Sequence, residues 1–162
     1  APYSPETGVR AVETLARCAG ELGMVGGQLL DMESEERACT QQEILDIQSR
    51  KTGALIRAAC LLGVLAGGGS EAQEQAAGTF ADHLGLAFQI RDDMLDVIGD
   101  AQTLGKAVGV DECKNTFVRL YGMEACQALV TEHTELAVAA LTPFADAAWL
   151  QELAESLTDR RF

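Results

Sequence analysis

The sequence predicts an all-α protein. Apolar residues recur at spacings of three and four, and no stretch shows the alternation of a half-buried strand. Hydrophobic residues make up 48% of the chain but aromatic residues only 5%, so alanine, leucine and glycine must do most of the packing. Such small side chains are typical of helices that approach closely, and the short predicted connections suit a helical bundle.

Length and charge narrow the possible functions. A chain of 162 residues fits one domain, or part of a larger one. The formal net charge of -13 argues against nucleic acid or an anionic membrane as the main partner, although solubility alone explains most of it.

Cysteine usage and hydropathy indicate the compartment. The five cysteines form no C-x-x-C motif, and because their number is odd, one must be left without a disulfide partner. With no recognisable signal peptide, we expect reduced thiols and a cytoplasmic location. The apolar run at 54–66 is too short to span a membrane and contains Arg57, so we expect no transmembrane segment.

The first two helices are predicted from their start signals and glycines. Ser4, Pro5 and Glu6 open a helix that we expect to stop near Gly23. Because no leader precedes it, we expect the sequence to begin inside a longer fold. Its predicted inward stripe contains Val9, Val12, Leu15, Ala16, Ala19 and Leu22.

A second helix is predicted over 24–35. Gly26 and Gly27 each cost about 1 kcal/mol against alanine in a helix, so we expect another backbone or a ligand to come close to them. Gln28 and Asp31 share one face of this helix, which taken alone is ordinary polar surface.

The third helix places a lysine among apolar residues. A capping box, Thr40 to Glu43, opens it, and the glycines 67–69 end it. Lys51 lies in the middle of its apolar stripe and Thr52 follows. Lys51 either extends out from the helix edge or points into a cavity that holds an anion, and periodicity leaves both open. The stripe contains Ile44, Ile47, Leu55, Ala58 and Leu62.

The fourth helix, predicted over 70–98, carries the most informative pattern. Gln89, Asp92, Asp93 and Asp96 fall on a stripe less than a third of a turn wide. Carboxylates alone at helical spacing suit a hard cation, magnesium above zinc. The alternative is a solvated acidic face. The opposite, packing arc contains Phe80, Leu84, Ala87, Met94 and Leu95.

The rest of the chain is predicted to be a loop and three helices. A glycine-punctuated loop after Ile98 carries Lys106 and Lys114, which a flap could bring over an anionic ligand. Thr116 caps a short helix that ends at Gly122. Longer helices follow over 123–141, with Ala125, Leu129, Leu136 and Ala140 inward, and over 147–158. We expect His83 and His133 to be ordinary structural or surface histidines.

Four runs together resemble a known family. They are Gly26-Gly27-Gln28-Leu29-Leu30-Asp31, Arg50-Lys51-Thr52-Gly53-Ala54-Leu55-Ile56, Phe88-Gln89-Ile90-Arg91-Asp92-Asp93-Met94-Leu95-Asp96, and Leu104-Gly105-Lys106 followed by Gly109, Asp111, Lys114 and Thr116. In this order and spacing they resemble the trans-isoprenyl diphosphate synthases, of the bacterial short-chain farnesyl or geranylgeranyl diphosphate synthase type. The resemblance covers essentially the whole chain, but only the C-terminal half of the family's helical bundle. The family's first aspartate-rich motif and its N-terminal isopentenyl diphosphate site are absent.

The resemblance implies a fold, a reaction and a role for each matching residue. The chain would be the C-terminal part of a larger prenyltransferase domain that joins an allylic diphosphate to isopentenyl diphosphate. Asp92, Asp93 and Asp96 would bind Mg²⁺. Substrate would be bound by Gln28, Asp31, Lys51, Gln89, Lys106, Lys114, Arg160 and Arg161. The catalytic residues among the matches would be Lys51, Thr52, Gln89 and Lys106.

The implied partners are the two diphosphates, the N-terminal half of the same fold and a second copy in a homodimer. Two other readings stay open at this point. The chain could be a short non-catalytic subunit that modulates a full-length synthase, or a relative of the terpene cyclases.

Overall fold

The computed structural model describes residues 3–104 and 115–160, with side chains described for 3–99 and 115–160. Within those ranges the regular structure is entirely helical, so the all-α prediction is confirmed. The elements are α1 (Pro5–Ala19), α2 (Met24–Ser34), α3 (Gln41–Gln48), a π-helical turn (Ser49–Gly53, hereafter the π-turn), α4 (Ala54–Ala66), α5 (Glu71–Leu104), α6 (Phe117–Tyr121), α7 (Met123–Ala140) and α8 (Ala148–Thr158). No helix in the described ranges combines the length and apolar character that crossing a bilayer requires.

The predicted helix starts are confirmed by side-chain caps. Ser4 Oγ accepts from the Thr7 amide at 3.1 Å, with Pro5 in the first turn of α1. Thr40 and Glu43 form both bonds of the capping box at α3. These caps satisfy backbone donors that the first helical turn leaves unpaired.

Two further helices later in the chain begin with side-chain caps of the same kind. Ser70 and Gln73 form the equivalent reciprocal pair at α5, with amide-to-side-chain distances of 2.9 and 3.3 Å. Thr116 accepts from the Arg119 amide at α6. That short helix ends at Gly122, whose φ of 79° favours glycine.

The predicted third helix runs without a break from Gln41 to Ala66, but its middle is π-helical. Helix α3 ends at Gln48, the π-turn follows, and α4 begins at Ala54. A π-turn inserts an extra residue into the helical ladder and thereby rotates every later residue around the axis. Lys51 therefore does not lie on one continuous stripe with Ile44 and Leu55. Ile44 is buried, whereas Leu55 is 39% exposed.

Helix α5 is the longest element and extends beyond its predicted end. It continues to Leu104, so Gly99 and Asp100 are helical and not part of a loop. With 34 residues it is about 51 Å long. Its predicted packing arc is confirmed, because Phe80, Leu84, Ala87 and Met94 are buried and Leu95 is half-buried.

Two apolar clusters flank α5 along its length. Near its start, Phe80 and Leu84 pack with Ala137 and Leu141 of the α7 region and Ala154 of α8. The second cluster lies further along, beside the acidic stripe. It joins α3, α5, α6 and α7 through Ile44, Ile47, Ile90, Met94, Phe117, Cys126 and Val130. The acidic stretch of α5 is thus fixed by packing on its other side.

The predicted inward face of α7 is confirmed at Leu129 and Ala140, which pack against the two apolar clusters, and is wrong at Ala125 and Leu136. Ala125 and Leu136 are exposed, and their neighbours Cys126 and Ala137 are fully buried. In an alanine-rich helix the apolar stripe is broad, so composition alone does not determine which edge packs against α5.

The apolar stripe of α1 does not face inward. No residue of α1 is buried, and Val9 and Val12 are 67% and 70% exposed. Helix α2 and the connection before it also expose apolar side chains. We call the exposed apolar residues of these segments the apolar α1–α2 face; they are Val9, Val12, Leu15, Leu22, Val25, Leu29 and Met32.

Candidate functional site

The three aspartates of the acidic stripe on α5 lie in three different environments. Asp92 lies beside the C-terminal segment, Asp93 points to the start of α6, and Asp96 is exposed. In the described residues, no group of three or more acidic, histidine or cysteine side chains converges to hold a metal. The helical stripe predicted from the spacing exists, but the three carboxylates do not form a closed cage.

Asp93 is the most buried of the three carboxylates. Its Oδ2 accepts from the Phe117 amide at 2.7 Å, at the first residue of α6. Burial raises the pKa of Asp93 to about 6, the charges of Asp96 and Asp92 add to the rise, and the amide donor opposes it. The side chain therefore links α5 to α6 while bearing a charge that its surroundings disfavour.

Asp92 is paired with an arginine from the end of the chain. Arg160 Nη2 donates to Asp92 Oδ1 at 2.6 Å, and its guanidinium lies 4.2 Å from the centre of the Phe88 ring. Arg91 holds this segment in place, because its Nε and Nη2 donate to the Arg160 carbonyl at 3.0 and 2.6 Å. The segment after α8 thus adds a cation to the acidic stripe.

Gln89 connects the acidic stripe to the π-turn. Its Nε2 donates to Gln48 Oε1 at 2.8 Å, and Gln48 is the last residue before the π-turn. The hydrogen bond joins the two elements that carry the predicted diphosphate-binding and metal-binding residues.

Lys51 lies on the π-turn and is paired. Its Nζ donates to Asp31 Oδ2 of α2 at 2.6 Å, with the two side chains 37% and 31% exposed. Lys51 is therefore neither buried nor extended freely into solvent. Thr52 is half-buried beside it, and Gln28 is half-buried on α2.

The predicted close approach at the α2 glycines is confirmed. A Cβ built at Gly27 would lie 2.3 Å from the Lys51 backbone nitrogen and 2.7 Å from Arg50 Cβ. On the other side of the π-turn, a Cβ at Gly85 of α5 would lie 3.3 Å from Gly53 Cα. The backbone of the π-turn is therefore packed between two helices that present glycine to it.

The remaining predicted site residues cannot be placed. Lys106, Lys114 and Arg161 lie outside the described residues. The described part of the predicted site comprises Gln28, Asp31, Lys51, Thr52, Gln89, Asp92, Asp93, Asp96 and Arg160.

Sequence reasoning missed several residues that hold the site together. Asn115 accepts from the Cys39 amide at 2.8 Å and donates to the Ser34 and Arg37 carbonyls, which ties the α2–α3 connection to α6. The sequence placed Arg91 in the aspartate-rich motif but did not reveal its bonds to the Arg160 carbonyl. No sequence signal marks either role, because the partners lie far away along the chain.

The two histidines also have a partner that sequence spacing did not reveal. His83 of α5 and His133 of α7 bring their Nδ1 atoms within 2.8 Å of each other. Burial and the neighbouring His83 lower the pKa of His133, against a smaller opposing effect of Glu132. The pair lines a cavity of about 370 Å³ together with Gln48, Gly53 and Gly85, behind the π-turn.

Comparison with known proteins identifies the family. The sequence model of the family "Polyprenyl synthetase" matches residues 3–153. The chain belongs to the polyprenyl synthetase family.

Individual relatives agree with this assignment. The chain is 40% identical over 135 residues to the farnesyl diphosphate synthase of Geobacillus stearothermophilus, covering 82% of this chain and 46% of that protein. It is 40% identical over 126 residues to the chloroplastic geranylgeranyl pyrophosphate synthase 3 of Arabidopsis thaliana, covering 75% and 35% respectively.

Solved structures share the fold. The geranyltransferase from Helicobacter pylori, complexed with magnesium and isoprenyl diphosphate, superposes with a TM-score of 0.75 at 29% identity. The match covers 96% of this chain and 52% of that one. This chain therefore spans about half the length, or less, of the relatives it matches.

Proposed function

We propose that this chain is the C-terminal part of a trans-prenyltransferase that condenses an allylic diphosphate with isopentenyl diphosphate. The observation that carries the proposal is the hydrogen-bonded connection between the two motif-bearing elements. The π-turn with Lys51 and Thr52 joins the acidic stripe of α5 through the Gln48–Gln89 bond. The synthase names of the relatives support the same reaction class.

Lys51 is the proposed cation for the allylic diphosphate. Asp31 holds its ammonium at 2.6 Å, which orients the side chain before substrate arrives. A single pair of unit charges about 4 Å apart contributes on the order of 4 kcal/mol at an effective dielectric of 20, before desolvation. Lys51 thus stabilises the negative charge that the leaving diphosphate gains.

Other matched residues complete the proposed substrate site. Thr52 places its hydroxyl and carbonyl oxygens near the developing allylic cation, and Gln89 hydrogen-bonds beside that substrate. Gln28 lies on the same face of α2 as Asp31 and contributes a polar contact. On the family resemblance alone, Lys106, Lys114 and Arg161 are assigned to the diphosphates.

The acidic stripe fits magnesium only as a shared ligand set. Its donors are carboxylate oxygens, which Mg²⁺ prefers, but in the described residues they do not form a cage of three. Asp92, Asp93 and Asp96 would hold the ion together with diphosphate oxygens. When bound, Mg²⁺ supplies neutralisation of the leaving diphosphate. Arg160 must release Asp92 for this, and its guanidinium can then pair with the diphosphate instead.

This arrangement predicts that magnesium binding needs diphosphate. Titration calorimetry of the complete protein with MgCl₂ should show weak binding alone and tighter binding when inorganic diphosphate is present. Tight magnesium binding in the absence of any phosphate ligand would contradict the shared-ligand arrangement.

The proposed partners follow from the part of the fold that is present. The apolar α1–α2 face would be covered by the N-terminal half of the same fold and by a second copy in a homodimer.

The cytoplasmic location stays a prediction. The four cysteines in the described ranges are free thiols. The two alternative readings, a modulating subunit and a terpene cyclase relative, are not favoured, because the matched relatives are chain-elongating synthases.

An enzyme assay tests the proposed function. The complete protein is incubated with Mg²⁺, geranyl diphosphate and radiolabelled isopentenyl diphosphate, and the products are dephosphorylated and separated by chain length. We expect an all-trans product longer than geranyl, and loss of product in Asp92→Ala. Release of a cyclic hydrocarbon from the allylic substrate alone would overturn the proposal in favour of a cyclase.

A further inference from the structure

The contact between α2 and the π-turn has no room for a side chain. A Cβ at Gly27 would come within 2.3 Å of the Lys51 nitrogen, a separation that real Cβ atoms do not show. The three nearest atoms that it would meet all belong to the π-turn, and two of them, including the closest, are backbone. A substituent at position 27 must therefore displace the π-turn itself, since no flexible side-chain end is available to move aside.

Gly27 and Asp31 act on the same element from the same helix face. They are four residues apart in α2 and so lie one turn from each other on one side of the helix. Gly27 contacts the backbone at Lys51, and Asp31 binds the Lys51 ammonium at 2.6 Å. The backbone and the head group of one lysine are thus both held by α2.

The π-turn depends on such outside contacts for its position. Its hydrogen-bond geometry is rare in proteins and occurs mostly as single turns. Gly85 of α5 supports the opposite side, where an added Cβ would lie 3.3 Å from Gly53 Cα. That separation is tight but tolerable after a small shift, so the Gly27 contact is the stricter of the two.

We propose that Gly27 is a positioning residue for the allylic diphosphate site. By bringing α2 into backbone contact with the π-turn, it sets where Lys51 and Thr52 lie relative to Asp31 and to the acidic stripe. This inference rests on the proposed function, in which Lys51 binds the allylic diphosphate. Gly27 touches no substrate and acts only through the π-turn.

The neighbouring glycine provides a matched control. A Cβ at Gly26 would lie 1.8 Å from the Glu21 carbonyl oxygen, in the connection before α2, and its three nearest neighbours all belong to Glu21. Gly26→Ala and Gly27→Ala should both destabilise α2. Gly27→Ala alone should displace Lys51. Gly63→Ala in α4, where a Cβ meets nothing within 4 Å, reports any effect of the substitution type itself.

The test measures ligand binding and the Lys51 environment in the complete protein. Binding of the unreactive thio analogue of geranyl diphosphate is measured by calorimetry in the presence of Mg²⁺. Lysine side chains are ¹³C-methylated, and the Lys51 signal is assigned as the one missing from Lys51→Ala. Melting temperatures are recorded for every variant.

We expect Gly27→Ala to weaken analogue binding roughly 10- to 100-fold, the loss expected when a displaced Lys51 no longer makes its charged hydrogen bond to the diphosphate. We also expect it to shift the Lys51 signal, whereas Gly26→Ala lowers the melting temperature and leaves both readouts unchanged. Equal weakening by Gly26→Ala and Gly27→Ala would overturn the inference, as would normal binding by Gly27→Ala. If Gly27→Ala does not fold, Gly85→Ala decides. A smaller loss of binding with the Lys51 signal shifted supports the role of the π-turn contacts, and unchanged binding despite a shifted Lys51 signal overturns it.

The variant Lys51→Ala distinguishes a failure of the proposed function from a failure of the inference about Gly27. If it binds the analogue as tightly as the unaltered protein does, the proposed role of Lys51 fails. If Lys51→Ala loses binding while Gly27→Ala retains it, only the positioning role of Gly27 fails.

Discussion

At the residue scale, Asp93 shows a conflict between folding and the proposed function. Its carboxylate caps the start of α6 through the Phe117 amide, yet burial raises its pKa to about 6. At an isolated buried position, a neutral hydrogen-bond acceptor would destabilise the fold less than an aspartate does. Its presence beside Asp92 and Asp96 is easier to understand if a cation neutralises all three during catalysis.

Replacing Asp93 by asparagine should therefore stabilise the metal-free protein at neutral pH. Because the folded-state pKa is raised from 3.8 to about 6, the contribution of this group is favourable below pH 3.8 and is lost as pH rises through 6. Asp93→Asn keeps an acceptor for the Phe117 amide. We expect a gain of about 1–3 kcal/mol in unfolding free energy at pH 8 and none at pH 4. Urea unfolding at both pH values, with EDTA present, checks this; equal stability at pH 8 would contradict it.

Lys51, by contrast, contributes little to stability, since its ion pair with Asp31 is partly exposed. We expect Lys51→Ala in the complete protein to fold, and to weaken allylic diphosphate binding and ionisation. Circular dichroism melting and single-turnover kinetics with geranyl diphosphate measure the two effects separately. An unfolded variant would make Lys51 a structural residue, and a variant that folds with normal substrate affinity would contradict its proposed role in binding.

At the element scale, the helix starts were predictable and the interruptions were not. The caps at Ser4, Thr40, Ser70 and Thr116 depend on residues three positions apart, so the sequence contains the whole interaction. The π-turn depends on contacts with α2 and α5 that lie far away along the chain. For the same reason, motif matching found Asp92 and Arg160 but not the ion pair between them.

The capping box of α3 gives a pH-dependent test at this scale. Hydrogen bonds from Arg37, then from the Thr40 backbone and hydroxyl, lower the pKa of Glu43 from 4.5 to about 2. A lowered pKa stabilises the fold above pH 4.5, and that contribution is lost as pH falls through 2. We expect Glu43→Gln to melt at a lower temperature at pH 7, with the difference shrinking between pH 4.5 and 2. Arg37→Gln serves as the partner control, and a pH-independent difference would exclude the charge effect.

At the scale of the whole molecule, the direction in which α1 and α2 face could not be deduced from the sequence. Periodicity correctly identified a stripe at Val9, Val12 and Leu15, but these side chains are exposed and do not enter a core. A helix stripe shows that an apolar partner is needed; it does not show whether that partner lies within the chain. Leu29 and Met32 of α2 are likewise exposed. Exposed apolar patches of this kind favour association.

We therefore expect residues 1–162 alone to self-associate. Sedimentation velocity over a range of concentrations should show dimers or larger species. Val12→Glu, in the middle of the apolar α1–α2 face, should shift the distribution toward monomer. Trp149→Glu tests an exposed apolar side chain elsewhere, on α8, and should leave the distribution unchanged. A monomer at every concentration would contradict the expectation.

The central claim is that these residues form one part of a prenyltransferase site and need the rest of the fold for catalysis. The direct measurement is a prenyl transfer assay of residues 1–162 with Mg²⁺, geranyl diphosphate and isopentenyl diphosphate, performed first alone and then with the N-terminal half of the fold added in trans. We predict no elongated product from the chain alone and elongated product after the addition. Turnover by the chain alone would contradict the claim.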